Sequence, residues 1–203
     1  MNNNPEISIL IPVYNVEKYV KECLISVFSN TIVDKAEIII VNDCSFDNSM
    51  NVITKLIDDY SFLKNQIRIF HNKENKGVSY TRQRLLDEAN GKYIVFIDSD
   101  DTVEPTFLEK LYNKAIEKNA DFVQCNFKRF KKDGDIYIKE VIQEKDPYKC
   151  ILLKLDGINP AYLVVRLIKK EFLVKNNLSF SENINPKTYY EPKFAAYYIG
   201  QFR

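Results

Sequence analysis

Three carboxylates in four residues, Asp98-Ser99-Asp100-Asp101, are the part of this sequence best suited to chemistry. Close carboxylates repel one another, which raises the free energy of the segment unless a positive group joins them. Oxygen ligands at the end of an apolar run suit Mg2+ or Mn2+, ions that also bind substrate phosphates. A solvated acidic turn is the competing reading, and Asp101 fits it as a helix cap, because acids favour a first helical turn. Asp43 closes another apolar run. A carboxylate there can accept a hydrogen bond from a base or ribose edge, or cap the helix that follows. Tyr14 can stack on a ligand or simply pack. Arg82 can face a diphosphate or form a surface salt bridge. His71 is the only histidine, and one at a strand end is assigned no catalysis.

These residues need elements to hold them. Ile7–Ile11 and Ile38–Val41 are short β-branched runs that read as buried strands, Ile67-Arg68-Ile69-Phe70 reads as a third strand, and Tyr93–Ile97 as a fourth that runs straight into acid residues. Helical spacing separates them. Val16, Tyr19, Val20, Cys23, Leu24, Val27 and Phe28 form one face, with Asn15 as the predicted N-cap. Val52, Ile53, Leu56, Ile57 and Tyr60 form a second, capped by Ser45 or Asp47. Residues 78–89 form a third helix with Gly91 placed to end it. A fourth, with Pro105 in its first turn, carries Phe107, Leu108, Leu111, Tyr112, Ala115 and Ile116. Alternating elements of this kind predict an α/β fold with a mostly parallel sheet covered on both faces. Ligands bind such sheets beyond the carboxyl ends of the strands. The segments Pro12–Asn15, Asn42–Ser45 and Asp98–Asp101 would all converge there. After about residue 120 the pattern weakens. Strands are expected over 121–130 and 135–142 around a turn at 132–134, and helices near 148–155 and 169–175. The tail 181–203 reads as loop followed by helix.

Composition narrows the classes. With 29 basic and 28 acidic residues in 203, nothing argues for a nucleic-acid partner. The short basic run Lys128-Arg129 with Lys131-Lys132 reads as a solvated turn or a contact with an anionic lipid surface or acceptor. The four cysteines include no CxxC pair and no histidine cluster accompanies them, which speaks against zinc and for reduced thiols. The polar opening Met1–Pro5 carries no signal-peptide pattern, and no apolar run approaches the roughly 20 residues of a membrane span. A soluble, cytoplasmic chain is therefore expected, able to dock on the inner face of a membrane.

Four segments, taken in order, carry a resemblance. ISILIPVYN (7–15), IIIVNDCSFD (38–47), Asn75-Lys76-Gly77-Val78-Ser79 with Arg82, and GKYIVFIDSDD (91–101) resemble the motifs of glycosyltransferase family 2, inverting enzymes of the Rossmann-like GT-A fold. LIKKEFLVKNNLSF (167–180) is similar to the segment before that family's catalytic acid. The resemblance implies one glycosyltransferase domain over 1–203. Residues 6–120 would bind the nucleotide-sugar, and 121–203 would form a smaller acceptor-side region, cut short relative to longer relatives. It assigns the donor pocket to Pro12, Tyr14, Asn15, Asp43, Arg82, Asp98 and Asp100, with Asp43 favouring a uracil ring and hence a UDP-sugar. Asp98 is assigned to the ribose and Asp100 to the Mn2+ or Mg2+ on the diphosphate. The implied activity is hexosyl or N-acetylhexosaminyl transfer in polysaccharide biosynthesis, onto a hydroxyl of a glycan or lipid-linked acceptor.

The sequence departs from the family at several points. The family places its base in a Glu-Asp pair, and the matching segment here is Tyr189-Tyr190-Glu191-Pro192. Glu191 is left as the candidate base. Asn42 and Cys44 replace an Asp and a Gly, and Lys76 replaces a common Gly near the phosphates, where its charge could help hold them. The Pro192 departure keeps open a non-catalytic nucleotide-sugar-binding subunit. Asp98-Ser99-Asp100-Asp101-Thr102 also resembles the first motif of haloacid-dehalogenase-type phosphatases, but it follows the fourth strand and no later acidic pair accompanies it. A dinucleotide-binding enzyme is disfavoured by only five glycines and no GxGxxG.

Overall fold

The computed structural model describes residues 4–130, 136–139, 163 and 166–180. Strands β1 (Ile7–Val13), β2 (Ala36–Asn42), β3 (Ile67–His71) and β4 (Tyr93–Phe96) alternate with helices α1 (Val20–Phe28), α2 (Ser49–Asp59), α3 (Val78–Glu88) and α4 (Phe107–Lys118). Then come β5 (Phe122–Gln124), β6 (Phe127–Phe130), β7 (Ile136–Lys139), β8 (Arg166–Lys169) and α5 (Lys170–Lys175). The main sheet has the order β3-β2-β1-β4-β8-β5, and β6 pairs with β7 in a separate ribbon. Strands β1 to β4 are mutually parallel, and β8 runs antiparallel to both its neighbours. The expected mostly parallel, doubly covered sheet is present.

Strand alternation explains why the apolar runs are continuous. Ile7, Ile9, Ile11, Ile38, Ile40 and Val95 join side chains of α1, α2 and α4 in one core. Leu10, Ile39, Val41, Ile94 and Phe96 join Leu85 and Leu86 of α3 and Leu173 of α5 in a second. Each fully buried aliphatic side chain contributes about 2 kcal/mol of transfer free energy, so both faces must be covered.

Local expectations are corrected in places. Asn15 does not cap α1: the helix starts at Val20, and Asn15 has a left-handed φ of 52°. The amides of Val16 and Glu17 donate instead to Ser49 Oγ and Asp47 Oδ2, which pulls that segment out of the helix. Neither Ser45 nor Asp47 is the N-cap of α2, which is Asn48: Asp47 accepts the Ser49 amide from one residue earlier, and Ser45 is taken by Asn15. Gly91 does not terminate α3, whose C-cap is Ala89. It is small for another reason: a Cβ there would lie 2.5 Å from the Ser8 backbone nitrogen. Pro105 falls just before α4, and its carbonyl accepts the Thr31 amide. The expected strand 121–130 is two strands, β5 and β6. Strand β8 was not expected at all. The turn 132–134, the helix near 148–155 and the tail 181–203 lie outside the described residues, as do Lys131 and Lys132 of the basic run, whose Lys128 and Arg129 are on β6.

At the amino-terminal end of the sheet, Glu37 is a connected buried charge. It accepts from Ser8 Oγ at 2.6 Å, Arg68 Nη2 at 2.7 Å, the Gly91 amide at 3.1 Å and the Asn90 amide. Burial pushes its carboxyl up, but the bonds from Ser8, Asn90 and Arg68, with the Arg68 charge, bring it below the ordinary glutamate value.

Candidate active site

Because β1 lies between β2 and β4, the segments leaving their carboxyl ends form one rim. Two of these segments are laced together. The Asn15 amide donates to Ser45 Oγ at 3.1 Å, and the Phe46 amide donates to Asn15 Oδ1 at 3.0 Å. The Asn48 amide donates to Glu17 Oε2 at 2.9 Å. Asn42 Oδ1 accepts the Ser45 amide at 2.9 Å, closing the turn after β2. Within that turn Cys44 has φ 62°, a backbone state that costs a residue with a Cβ more than glycine. This is the physical reason a glycine suits that position. Pro12 is half-buried on β1 opposite Val41. Tyr14 is 44% exposed and meets the Phe46 ring edge to face.

Asp43 is buried beneath this rim, and a second loop is organised around it. Oδ1 accepts from Asn72 Nδ2 at 2.7 Å and from the Lys76 amide at 2.9 Å, and Oδ2 accepts the Gly77 amide at 2.8 Å. Gly77 needs its positive φ of 84° to turn its amide this way, while nothing crowds its Cβ position. Lys76 thus engages Asp43 through its backbone, and its ammonium pairs with Glu74. Asn72 was not singled out by sequence. It also accepts Arg84 Nη1 at 2.6 Å, tying α3 to the loop.

The acid segment follows β4. Arg82 Nη2 on α3 pairs with Asp98 Oδ1 at 2.7 Å, which is the salt-bridge alternative of the sequence reading, formed partly buried rather than on the surface. The buried Nε of Arg82 has no hydrogen-bond acceptor among the described residues. Ser99 points inward, whereas Asp100 is exposed. From behind, Cys23 of α1 donates through Sγ to the Asp98 carbonyl at 3.6 Å. Burial and the charges of Asp101, Asp100 and Asp98 push that thiol up to about 12, so it stays protonated. Asp101 is exposed as a residue, yet burial of its carboxyl, then Asp98 and Asp100, pushes it up to about 6.

A divalent metal fits this donor set in a restricted sense. Among the described residues, no three His, Cys, Asp or Glu side chains form a ready-made cage. Mg2+ and Mn2+ need no such cage when substrate phosphates supply further oxygens, and one or two carboxylates then suffice. The crowded acids and the unpaired Arg82 Nε both suit a diphosphate bound with its cation. The candidate base, Glu191, lies outside the described residues. His71 is exposed, with Nδ1 3.3 Å from Asn42 Nδ2. Cys23, Cys44 and Cys125 are free thiols.

The family model described as glycosyl transferase family 2 matches residues 8–174, most of the chain. This chain belongs to glycosyl transferase family 2. Among curated relatives, it is 32% identical over 180 residues to the putative glycosyltransferase EpsH of Bacillus subtilis, covering 87% of this chain and 50% of that protein. It is 31% identical over 186 residues to a cholesterol galactosyltransferase of Borreliella burgdorferi, covering 85% and 50%. The chain thus spans about half the length of these relatives. Among solved structures, S. aureus TarS 1-349 in complex with UDP aligns at a TM-score of 0.73 and 20% identity, covering 89% of this chain and 52% of that one. A mannosyltransferase from Pyrobaculum calidifontis, in complex with GDP-Man and Mn2+, aligns at 0.65 and 15% identity, covering 90% and 49%. The fold is GT-A, as the resemblance implied. The phosphatase reading is set aside, since this acid segment is the family 2 one. No helix among the described residues is long and apolar enough to cross a membrane.

Proposed function

We propose that this chain transfers a sugar, with inversion, from a nucleoside-diphosphate donor to a hydroxyl of a glycan or lipid-linked acceptor. The supporting observation is the rim itself: Tyr14, Asp43, Arg82, Asp98 and Asp100 come from four separate segments to the carboxyl ends of adjacent strands. A UDP-sugar is the favoured donor, on the family role of Asp43 and on the UDP complex of TarS. Residues 6–120 would bind it, and residues 121–203 would face the acceptor.

Each residue has a task in this reading. Asp43 holds the 72–77 loop against the base end of the pocket. Pro12, Tyr14 and Asn15 line that end. Asp98 meets the ribose while its Arg82 partner turns towards the diphosphate. Asp100 holds Mn2+ or Mg2+, which when bound offsets the charge developing on the leaving diphosphate. Glu191 takes the proton from the attacking acceptor hydroxyl. The reaction would take place at the cytoplasmic face of a membrane, with the chain docked there peripherally, and would serve polysaccharide biosynthesis. A second reading is favoured by Pro192, which stands where the family has an aspartate: donor binding without transfer.

Calorimetry with UDP, GDP and dTDP, each with Mn2+, tests the donor. A UDP-sugar turnover assay on the wild type and Glu191→Gln tests the chemistry. UDP bound most tightly, with turnover lost in Glu191→Gln, is the expected result. Binding without turnover in the wild type supports the second reading. No binding of any nucleotide contradicts both.

A further inference from the structure

The rim carries one side chain that the proposed reaction does not use. Phe46 leaves 83% of its surface in water, more than any other large apolar side chain described. A single exposed apolar residue ordinarily needs no explanation. Phe46 differs from that case in how it is held. Its amide is bonded to Asn15 Oδ1, Ser45 before it accepts from the Asn15 amide, and Asp47 after it accepts from the amides of Glu17 and Ser49. The ring is therefore presented from an anchored backbone. Phe62, 71% exposed, gives the contrast: it tilts on Tyr60 in the segment before β3, at the other end of the sheet.

The Phe46 and Tyr14 rings stand at 83° with centroids 6.2 Å apart. Both remain open to solvent, so they form a corner of two perpendicular faces. A planar aromatic group entering it can stack on one ring while presenting its edge to the face of the other. Both are favoured aromatic geometries. A sugar offers its C–H face to one ring only, so the corner suits a flat heterocycle better. Three residues away, Asp43 marks the same end of the pocket.

We propose that Phe46, with Tyr14, forms an aromatic corner that receives the nucleobase of the donor. The proposal rests on the nucleotide-sugar reading above and deepens it. Stacking is tolerant of base identity, because every base has a π-face. Phe46 thus supplies affinity shared among nucleotides, while discrimination is left to the polar edge around Asp43.

Calorimetry with UDP and Mn2+ on the wild type, Phe46→Ala and Phe46→Tyr tests this, paired with saturation-transfer NMR of bound UDP. Phe46→Ala is expected to weaken UDP roughly tenfold, in line with the loss of one base stack. Its uracil H5 and H6 signals should fall relative to ribose H1′. Phe46→Tyr should retain affinity within about twofold, since a tyrosine ring stacks comparably. Unchanged affinity in Phe46→Ala overturns the proposal. Weakened affinity with an unchanged base-to-ribose pattern also overturns it, by assigning the loss to the loop. A wild type that binds no nucleotide overturns the donor reading and this proposal together, whereas binding unaffected by Phe46→Ala overturns this one alone.

Discussion

At the amino-terminal end of the sheet, Glu37 is enclosed by Ser8, Arg68, Asn90 and Gly91, and its charge is answered by protein atoms. At the carboxyl-terminal end of the same sheet, three acids lie close together and one of them, Asp98, pairs with Arg82, whose Nε has no described acceptor. The environments move carboxyl groups in opposite directions: below the ordinary value for Glu37, and up to about 6 for Asp101. The first cluster is complete and holds strands together. The second is less complete and lies at the rim that carries the left-handed residues Asn15 and Cys44 and the exposed rings of Tyr14 and Phe46. The proposed function uses the end where the fold leaves charge unresolved.

Mutations should separate these ends. Glu37→Ala would leave the Asn90 amide without its acceptor and remove one of the two partners of Arg68, which keeps Glu88, and a loss of about 2 kcal/mol is expected, read by urea unfolding. Gly91→Ala drives a Cβ into the Ser8 backbone and should cost about 2 kcal/mol in the same measurement. Either loss should leave nucleotide affinity unchanged in the folded protein. Because the Glu37 value is lowered on folding, its stabilising contribution is present above the unfolded value, near 4.5, and is lost as pH falls through the lower folded value. Stability should therefore drop in that acid window, and Glu37→Gln should flatten the drop. At the opposite end, Asp101→Asn relieves repulsion and should raise stability by less than about 1 kcal/mol, the scale of an exposed charge interaction. A destabilised Asp101→Asn protein would break the contrast between the ends.

Sequence made most of the parallel sheet legible, because doubly covered strands such as Ile38–Val41 are uninterrupted apolar runs. Strand β8 escaped notice: Arg166-Leu167-Ile168-Lys169 has only two apolar residues between charges and runs directly into α5. Asn15 carried the right residue type for a cap, but capping depended on amides that Ser49 and Asp47, thirty residues away, take up. At the site, the acids were legible from type and position. Their partners were less so. Asn72 and the Lys76 and Gly77 amides reach Asp43 through loop geometry, and no periodicity reports that. Phe46 looked like any loop residue until its ring was found against Tyr14.

The central claim is that the acid segment is completed by a nucleotide and its metal. Thermal unfolding with UDP, with and without Mn2+, on the wild type and Asp100→Ala tests it most directly. Ligand at about 100 times its Kd stabilises by roughly 2.7 kcal/mol, which for a chain of this length raises Tm by about 5–10 °C. The account predicts such a rise, dependent on Mn2+ and absent in Asp100→Ala. An equal rise without metal, or in Asp100→Ala, would contradict the role given to Asp100, and no rise with any nucleoside diphosphate would contradict the site.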